Sequence, residues 1–275
     1  GTIEDGDAVI FFNFRGDRAI EISRAFEEDG LDKFDRKRRP DVFYAGMMEY
    51  DGDAHIPHNF LVEPPAIDRT ICQYLCAESV TSYAISETQK FGHVTYFWNG
   101  NNSGYIDETL EKYDEVPSDK VTFDQRPWMK CAEITDAVIA AIRSNKYKFI
   151  RLNYANGDMV GHTGVPAAVR LAVGSVDLCL KRLLPVIEAA KGVAVISADH
   201  GNADVMFAEK KGKIEPMVAH TLNPVPFIVK DYSGANALAL REVSAPGLSN
   251  VAATLMNLLG FEKPDDYDES LIAIG

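Results

Sequence analysis

The sequence predicts an α/β protein whose mostly parallel sheet carries helices on both faces. Short runs of β-forming residues alternate with longer segments of helical period along most of the chain, with no internal repeat. Hydrophobic residues make up 46% of the 275 and charged residues 25%, a balance that supports a real core and excludes disorder or low complexity as the overall state.

The elements follow in order. Ala8 to Phe14 is a continuous apolar run and reads as a strand buried on both faces. Arg15 to Asp29 has helical spacing through Ala19, Ile22, Ala25 and Phe26, with Gly30 as a stop. The basic cluster from Lys33 to Arg39 reads as solvated surface, and Val42 to Tyr50 as a strand. Glu63-Pro64-Pro65 is stiff and poor in backbone donors, so a hinge is expected there. Beyond it, Ala66 to Ala77 is expected to be helical, Thr81 to Ile85 and His93 to Trp98 extended, and Cys131 to Arg143 helical. Lys148 to Tyr154 reads as a strand, followed by a long helix from Pro166 that is interrupted or kinked at Pro185, and by the strand Val193 to Ser197. The strand Pro226 to Val229 and the helix Ser249 to Leu259 complete the pattern.

A net charge of −13, from 28 basic and 41 acidic side chains, argues against nucleic acid and anionic membranes as partners. No apolar run reaches the ~18 to 20 residues that span a bilayer, and the first residues lack the pattern of a signal peptide, so a cytoplasmic location is expected. Cys72, Cys76, Cys131 and Cys179 have no C-x-x-C spacing and read as buried thiols in a reducing compartment.

In sheets of this kind chemistry collects beyond the carboxyl ends of the strands. Two predicted strands end in polar, glycine-containing clusters: Ala155-Asn156-Gly157-Asp158-Met159-Val160-Gly161-His162-Thr163-Gly164, and Ala198-Asp199-His200-Gly201-Asn202-Ala203-Asp204. Each pairs an Asp with a His. Carboxylate with imidazole and no thiolate suits Mn²⁺ or Zn²⁺, and the four-residue separation of Asp158 and His162 places both on one side of a helical turn. Asp199-His200 alone reads as a surface hydrogen bond more readily than as a metal site, whereas two such pairs together with His220 point to a metal site. Arg15 and Arg18 open a predicted helix, where cations are unfavourable unless an anion binds or Asp17, Glu21, Glu27 and Glu28 neutralise them as surface pairs; both readings stay open. Lys90 follows a strand and reads either as a solvated loop lysine or as a cation reaching the same crevice.

Four segments together, Phe11 to Arg18, Ser86 to Thr95, Asn156 to Gly164 and Ala198 to Ala203, resemble in order and content the cofactor-independent phosphoglycerate mutases, alkaline-phosphatase-like metalloenzymes. The resemblance implies interconversion of 3- and 2-phosphoglycerate through a phosphoserine intermediate, with two divalent ions, expected to be Mn²⁺, and no 2,3-bisphosphoglycerate. It implies that Asp158, His162 and His220 hold one ion and that Asp199 and His200 supply part of the second site. Lys90 would stabilise phosphoryl charge, and Arg15 and Arg18 would bind the anionic glycerate. A phosphohydrolase or phosphopentomutase relative, and a non-catalytic metal-binding module, are the alternatives.

The family's Asn-Ser-Glu-x-Gly-His motif, which carries the nucleophile, occurs nowhere in the chain, and neither does the metal-binding Asp upstream of it. The sequence therefore reads as a C-terminal portion. Residues 1–64 are expected to be the end of the phosphotransferase domain, and residues 65–275 a phosphatase-like domain lacking its N-terminal part. A monomeric parent acting on a small-molecule substrate is expected, with at most one tight metal site and no mutase activity in residues 1–275 alone.

Overall fold

The computed structural model describes residues 1–16, 18–51, 54–63, 67–234 and 238–274. The proline pair of the expected hinge, the first residue of the expected helix 66–77, and Asp17 lie outside the described residues. The chain divides into two compact units, Gly1–Tyr74 with Thr95–Ile106, and Leu75–Val94 with Asp107–Gly275.

The first unit holds strand β1 (Ala8–Phe11), helix α1 (Ala19–Glu27), and strands β2 (Phe43–Met48) and β3 (Phe60–Val62), paired in parallel in the order β1-β2-β3. α1 lies against β2, with Phe26 stacked on Tyr44 at 4.9 Å and Ser23 Oγ 3.0 Å from the Tyr44 hydroxyl. β1 departs from the expected strand with two buried faces. Ile10 is 51% exposed and Phe12, just beyond β1, 80%, because one face of the run, Ala8, Ile10, Phe12 and Phe14, is open to solvent while the other is only half-buried. The expected strand 93–98 is also absent. His93 and Val94 donate to the carbonyls of Lys90 and Phe91, and Tyr96–Asn99 forms a 3₁₀ turn ended by Gly100 at φ 69°. Local hydrogen bonds therefore take the donors and acceptors that a ladder would need.

Helix α2 (Ile71–Ala77) crosses the boundary between the units. In the second unit, β4 (Ser82–Glu87) is buried along its whole length between β5 (Glu111–Val116) and β6 (Phe149–Asn153), both parallel to it. Helix α3 (Cys131–Ser144) is introduced between β5 and β6 in the chain, and helices α4 (Asn156–Gly161) and α5 (Pro166–Ala189) follow β6. Tyr83 and Ile85 of β4 share one core cluster with Ile134, Val138 and Ala141 of α3 and Leu183 of α5. A second cluster packs Val160 of α4 against Ala168, Val169 and Ala172 of α5. Ala168 and Ala172 lie one turn apart, so α5 presents a low surface on which the short α4 can rest. α5 runs through Pro185, since the carbonyl that loses its donor belongs to exposed Lys181, where water can replace it.

The C-terminal part is more antiparallel than expected. β7 (Val193–Ser197) precedes the hairpin β8 (Phe207–Lys210) and β9 (Lys213–Pro216) and pairs antiparallel with β10 (Phe227–Asp231). β11 (Leu238–Leu240) and β12 (Ile272–Ile274) form another antiparallel pair around helix α6 (Asn250–Leu258) in the chain. No helix among the described residues is long and apolar enough to cross a membrane. Cys72, Cys131 and Cys179 are buried, whereas Cys76 is only half-buried. Burial, helped by a hydrogen bond with Cys179, pushes the Cys131 thiol up to about 12, which makes it inert.

Candidate metal centre

Three segments that leave the carboxyl ends of strands in the second unit converge. A 3₁₀ turn, Thr88–Lys90, directly follows β4 and delivers Lys90; α4, just beyond β6, carries Asp158 with His162 at its end; the loop after β7 carries Asp199 and His200. His220 comes from the loop between β9 and β10, which a bridge between Gly201 and Thr221 ties to the β7 loop. The Thr221 hydroxyl and Asn223 Nδ2 donate to the Asp204 carboxylate at 2.9 and 2.7 Å and strengthen the same tie. A Cβ on Gly201 would overlap Thr221 and Asp204, so close approach of the two loops requires glycine there.

Asp158 Oδ1 lies 3.0 Å from Nε2 of His162 and 3.0 Å from Nε2 of His220, and those nitrogens are 3.1 Å apart. His162 Nδ1 is 2.6 Å from the Val218 carbonyl, so Nδ1 carries the proton and the Nε2 lone pair faces inward. His220 stacks on His200 at 3.6 Å, and its pKa is lowered by desolvation and by its cationic and imidazole neighbours, although Asp158 opposes this. Neutral imidazoles are the state that binds metal. Three inward-facing ligand atoms at these separations fit a divalent ion at roughly 2.0 to 2.2 Å from each. Asp158, His162 and His220 form a candidate cation site on this geometry.

Lys90 is not the solvated loop residue that its position also allowed: it is 3% exposed. Its ammonium donates to Asp158 Oδ2 at 2.7 Å and lies 3.5 Å from Asp199 Oδ2. Burial pushes the Asp158 carboxyl up, but the charge and hydrogen bond of Lys90, the amide of Asn202 and the charge of His162 together bring it down to about 2. His200 Nε2 is 3.4 Å from Asp199 Oδ2, so the second Asp-His pair sits beside the first through Lys90 and His220 rather than apart on the surface. Arg15 and Arg18 belong to the first unit and are exposed; α1 begins only at Ala19, with Arg18 as its N-cap. Asn202, Asp204 and Thr221 were not singled out by the sequence, because side chains that only brace ligand loops leave no spacing pattern.

The chain matches the metalloenzyme superfamily over residues 17–263. It belongs to that superfamily. It is 53% identical over its whole length to a 2,3-bisphosphoglycerate-independent phosphoglycerate mutase of Trypanosoma brucei brucei, of which it covers 52%, and 47% identical to such a mutase of Arabidopsis thaliana, of which it covers 51%. A crystal structure of Leishmania mexicana phosphoglycerate mutase at low cobalt concentration superimposes with a TM-score of 0.95 at 51% identity, covering all of this chain and 52% of that one. This member of the superfamily thus spans about half the length of the curated relatives it matches.

The depressed pKa of Asp158 has a consequence for metal-free stability. Its carboxylate stabilises the fold above the unfolded value near 4, and that contribution is lost as pH falls towards 2. The shift corresponds to about 2 kcal/mol. In urea unfolding of the metal-free chain, the gap between wild type and Asp158→Asn is expected to close by that amount between pH 7 and pH 2. A gap independent of pH would contradict the assignment.

Proposed function

We propose that this chain is part of a cofactor-independent phosphoglycerate mutase that interconverts 3- and 2-phosphoglycerate through a phosphoserine. The observation that supports this most strongly is the meeting of Asp158, His162, His220 and Lys90 in one cluster, in a chain about half identical along its length to proteins bearing that name. Residues 1–64 would then be the end of the phosphotransferase domain and residues 65–275 the metal-bearing one.

Asp158, His162 and His220 would hold one divalent ion, and Asp199 and His200 part of a second; when bound, such ions, with Mn²⁺ expected, polarise phosphoryl oxygen and activate a serine hydroxyl. The side chains of this chain do the rest by positioning and charge, which dominate phosphoryl transfer. Lys90 holds an ammonium at the junction of the two Asp-His pairs, where it can offset charge on a phosphoryl group without a flexible, hydrated stem. Arg15 and Arg18 present exposed guanidinium groups suited to the carboxylate and phosphate of a glycerate substrate. The parent works as a cytoplasmic monomer without 2,3-bisphosphoglycerate in this reading.

Calorimetric titration of residues 1–275 with Mn²⁺ is expected to give a stoichiometry near one, abolished in Asp158→Ala and retained in Asp199→Ala, with no conversion of 3- to 2-phosphoglycerate. Two equally tight ions, or measurable conversion, would contradict it. In the longer mutase, Arg18→Ala is expected to lower kcat/KM for 3-phosphoglycerate at least tenfold, as loss of a charge-assisted contact of ~1.5 to 3 kcal/mol requires. Unchanged kinetics would return Arg18 to the role of a surface residue.

A further inference from the structure

Asp158 is held from two sides. Lys90 takes Oδ2, whereas Asn202 Nδ2 donates to Oδ1 at 2.8 Å and lies 3.3 Å from the Asp158 backbone carbonyl. One donor on one oxygen leaves a carboxylate free to swing about its Cβ–Cγ bond; a second donor on the other oxygen fixes the plane. Both groups facing Asn202 are acceptors, so its nitrogen must be the atom turned towards them. Asn202 is 4% exposed and comes from the loop that carries Asp199 and His200, so a single amide joins the two Asp-His segments.

Two features are unfavourable for the fold and make sense only if this amide is needed. Asn202 Oδ1 is buried without a hydrogen-bond partner among the described residues, an arrangement that folded interiors mostly avoid. Gly161 closes α4 without a positive φ, at a place where alanine is the better helix former. A methyl group there would overlap Asn202 Oδ1 and stand 2.8 Å from its Cγ. The glycine therefore makes room for the amide.

We infer that Asn202 is a positioning residue that aims the Asp158 carboxylate at the cation site, and that Gly161 is glycine to admit the Asn202 side chain. The inference rests on the reading of Asp158, His162 and His220 as metal ligands. Supporting groups of this kind commonly contribute 10- to 100-fold in metal affinity.

The test uses Co²⁺ alone as probe, with the 275-residue chain, following affinity by titration and ligand geometry by the visible absorption spectrum. Asn202→Ala, and Asn202→Leu, which keeps the branching at Cγ but loses the donor, are each expected to weaken Co²⁺ binding 10- to 100-fold and to alter the spectrum. Gly161→Ala is expected to do the same in the wild-type background but to add less than about twofold on top of Asn202→Ala, because the obstructing amide is then gone. Wild-type affinity and spectrum in Asn202→Leu, or an equal Gly161→Ala penalty in both backgrounds, would overturn the inference while leaving the metal reading intact. Failure of the wild-type chain to take up Co²⁺ would overturn the metal reading and this inference with it.

Discussion

A lysine ammonium buried at the end of a central strand must be neutralised, and much of the second unit is arranged around that requirement. β4 is inaccessible along its length, so the turn that follows it carries Lys90 into the interior rather than into solvent. An isolated ammonium there would lose its charge or destabilise the fold. Asp158 from beyond β6 and Asp199 from beyond β7 supply the compensation. Bringing these carboxylates to Lys90 also brings the histidines that accompany them.

The surrounding structure keeps that meeting point small. α4 contains only six residues and could not hold Asp158 by itself; Val160, fully buried against Ala168 and Ala172 of α5, anchors it. On the other side, Gly201 lets the β7 loop and the His220 loop touch, and Asp204 with Thr221 and Asn223 holds them together. Each of these contacts is ordinary packing or hydrogen bonding. Their joint effect is that three potential ligand atoms stand about 3 Å from one another, a spacing that a shared divalent cation would satisfy.

How much of this could be read beforehand depended on whether the determining interactions were local. The strands 82–87, 149–153 and 193–197 and the helices starting at 131 and 166 follow from apolar periodicity, and the Asp-His pairs at the strand ends follow from the rule that chemistry gathers there. The segment 93–98 misled because Val94, Thr95, Tyr96, Phe97 and Trp98 favour strands, whereas its backbone bonds close locally. β1 misled because an apolar run indicates burial only if both faces acquire neighbours. The burial of Lys90 was invisible to spacing, since it depends on partners 68 and 109 residues away in the chain, the separations of Asp158 and Asp199 from Lys90. Asn202 was equally hidden, and the glycine at 161 was the one local sign of it.

The most direct measurement of the central interaction is a double-mutant cycle on Lys90→Met and Asp158→Asn, followed by urea unfolding of the metal-free chain at neutral pH. If the buried ammonium and carboxylate hold each other in place, the two single changes should together cost about 2 kcal/mol more than the double change. Strictly additive costs would mean that Lys90 and Asp158 are buried for separate reasons, and the site would not be organised around their charge.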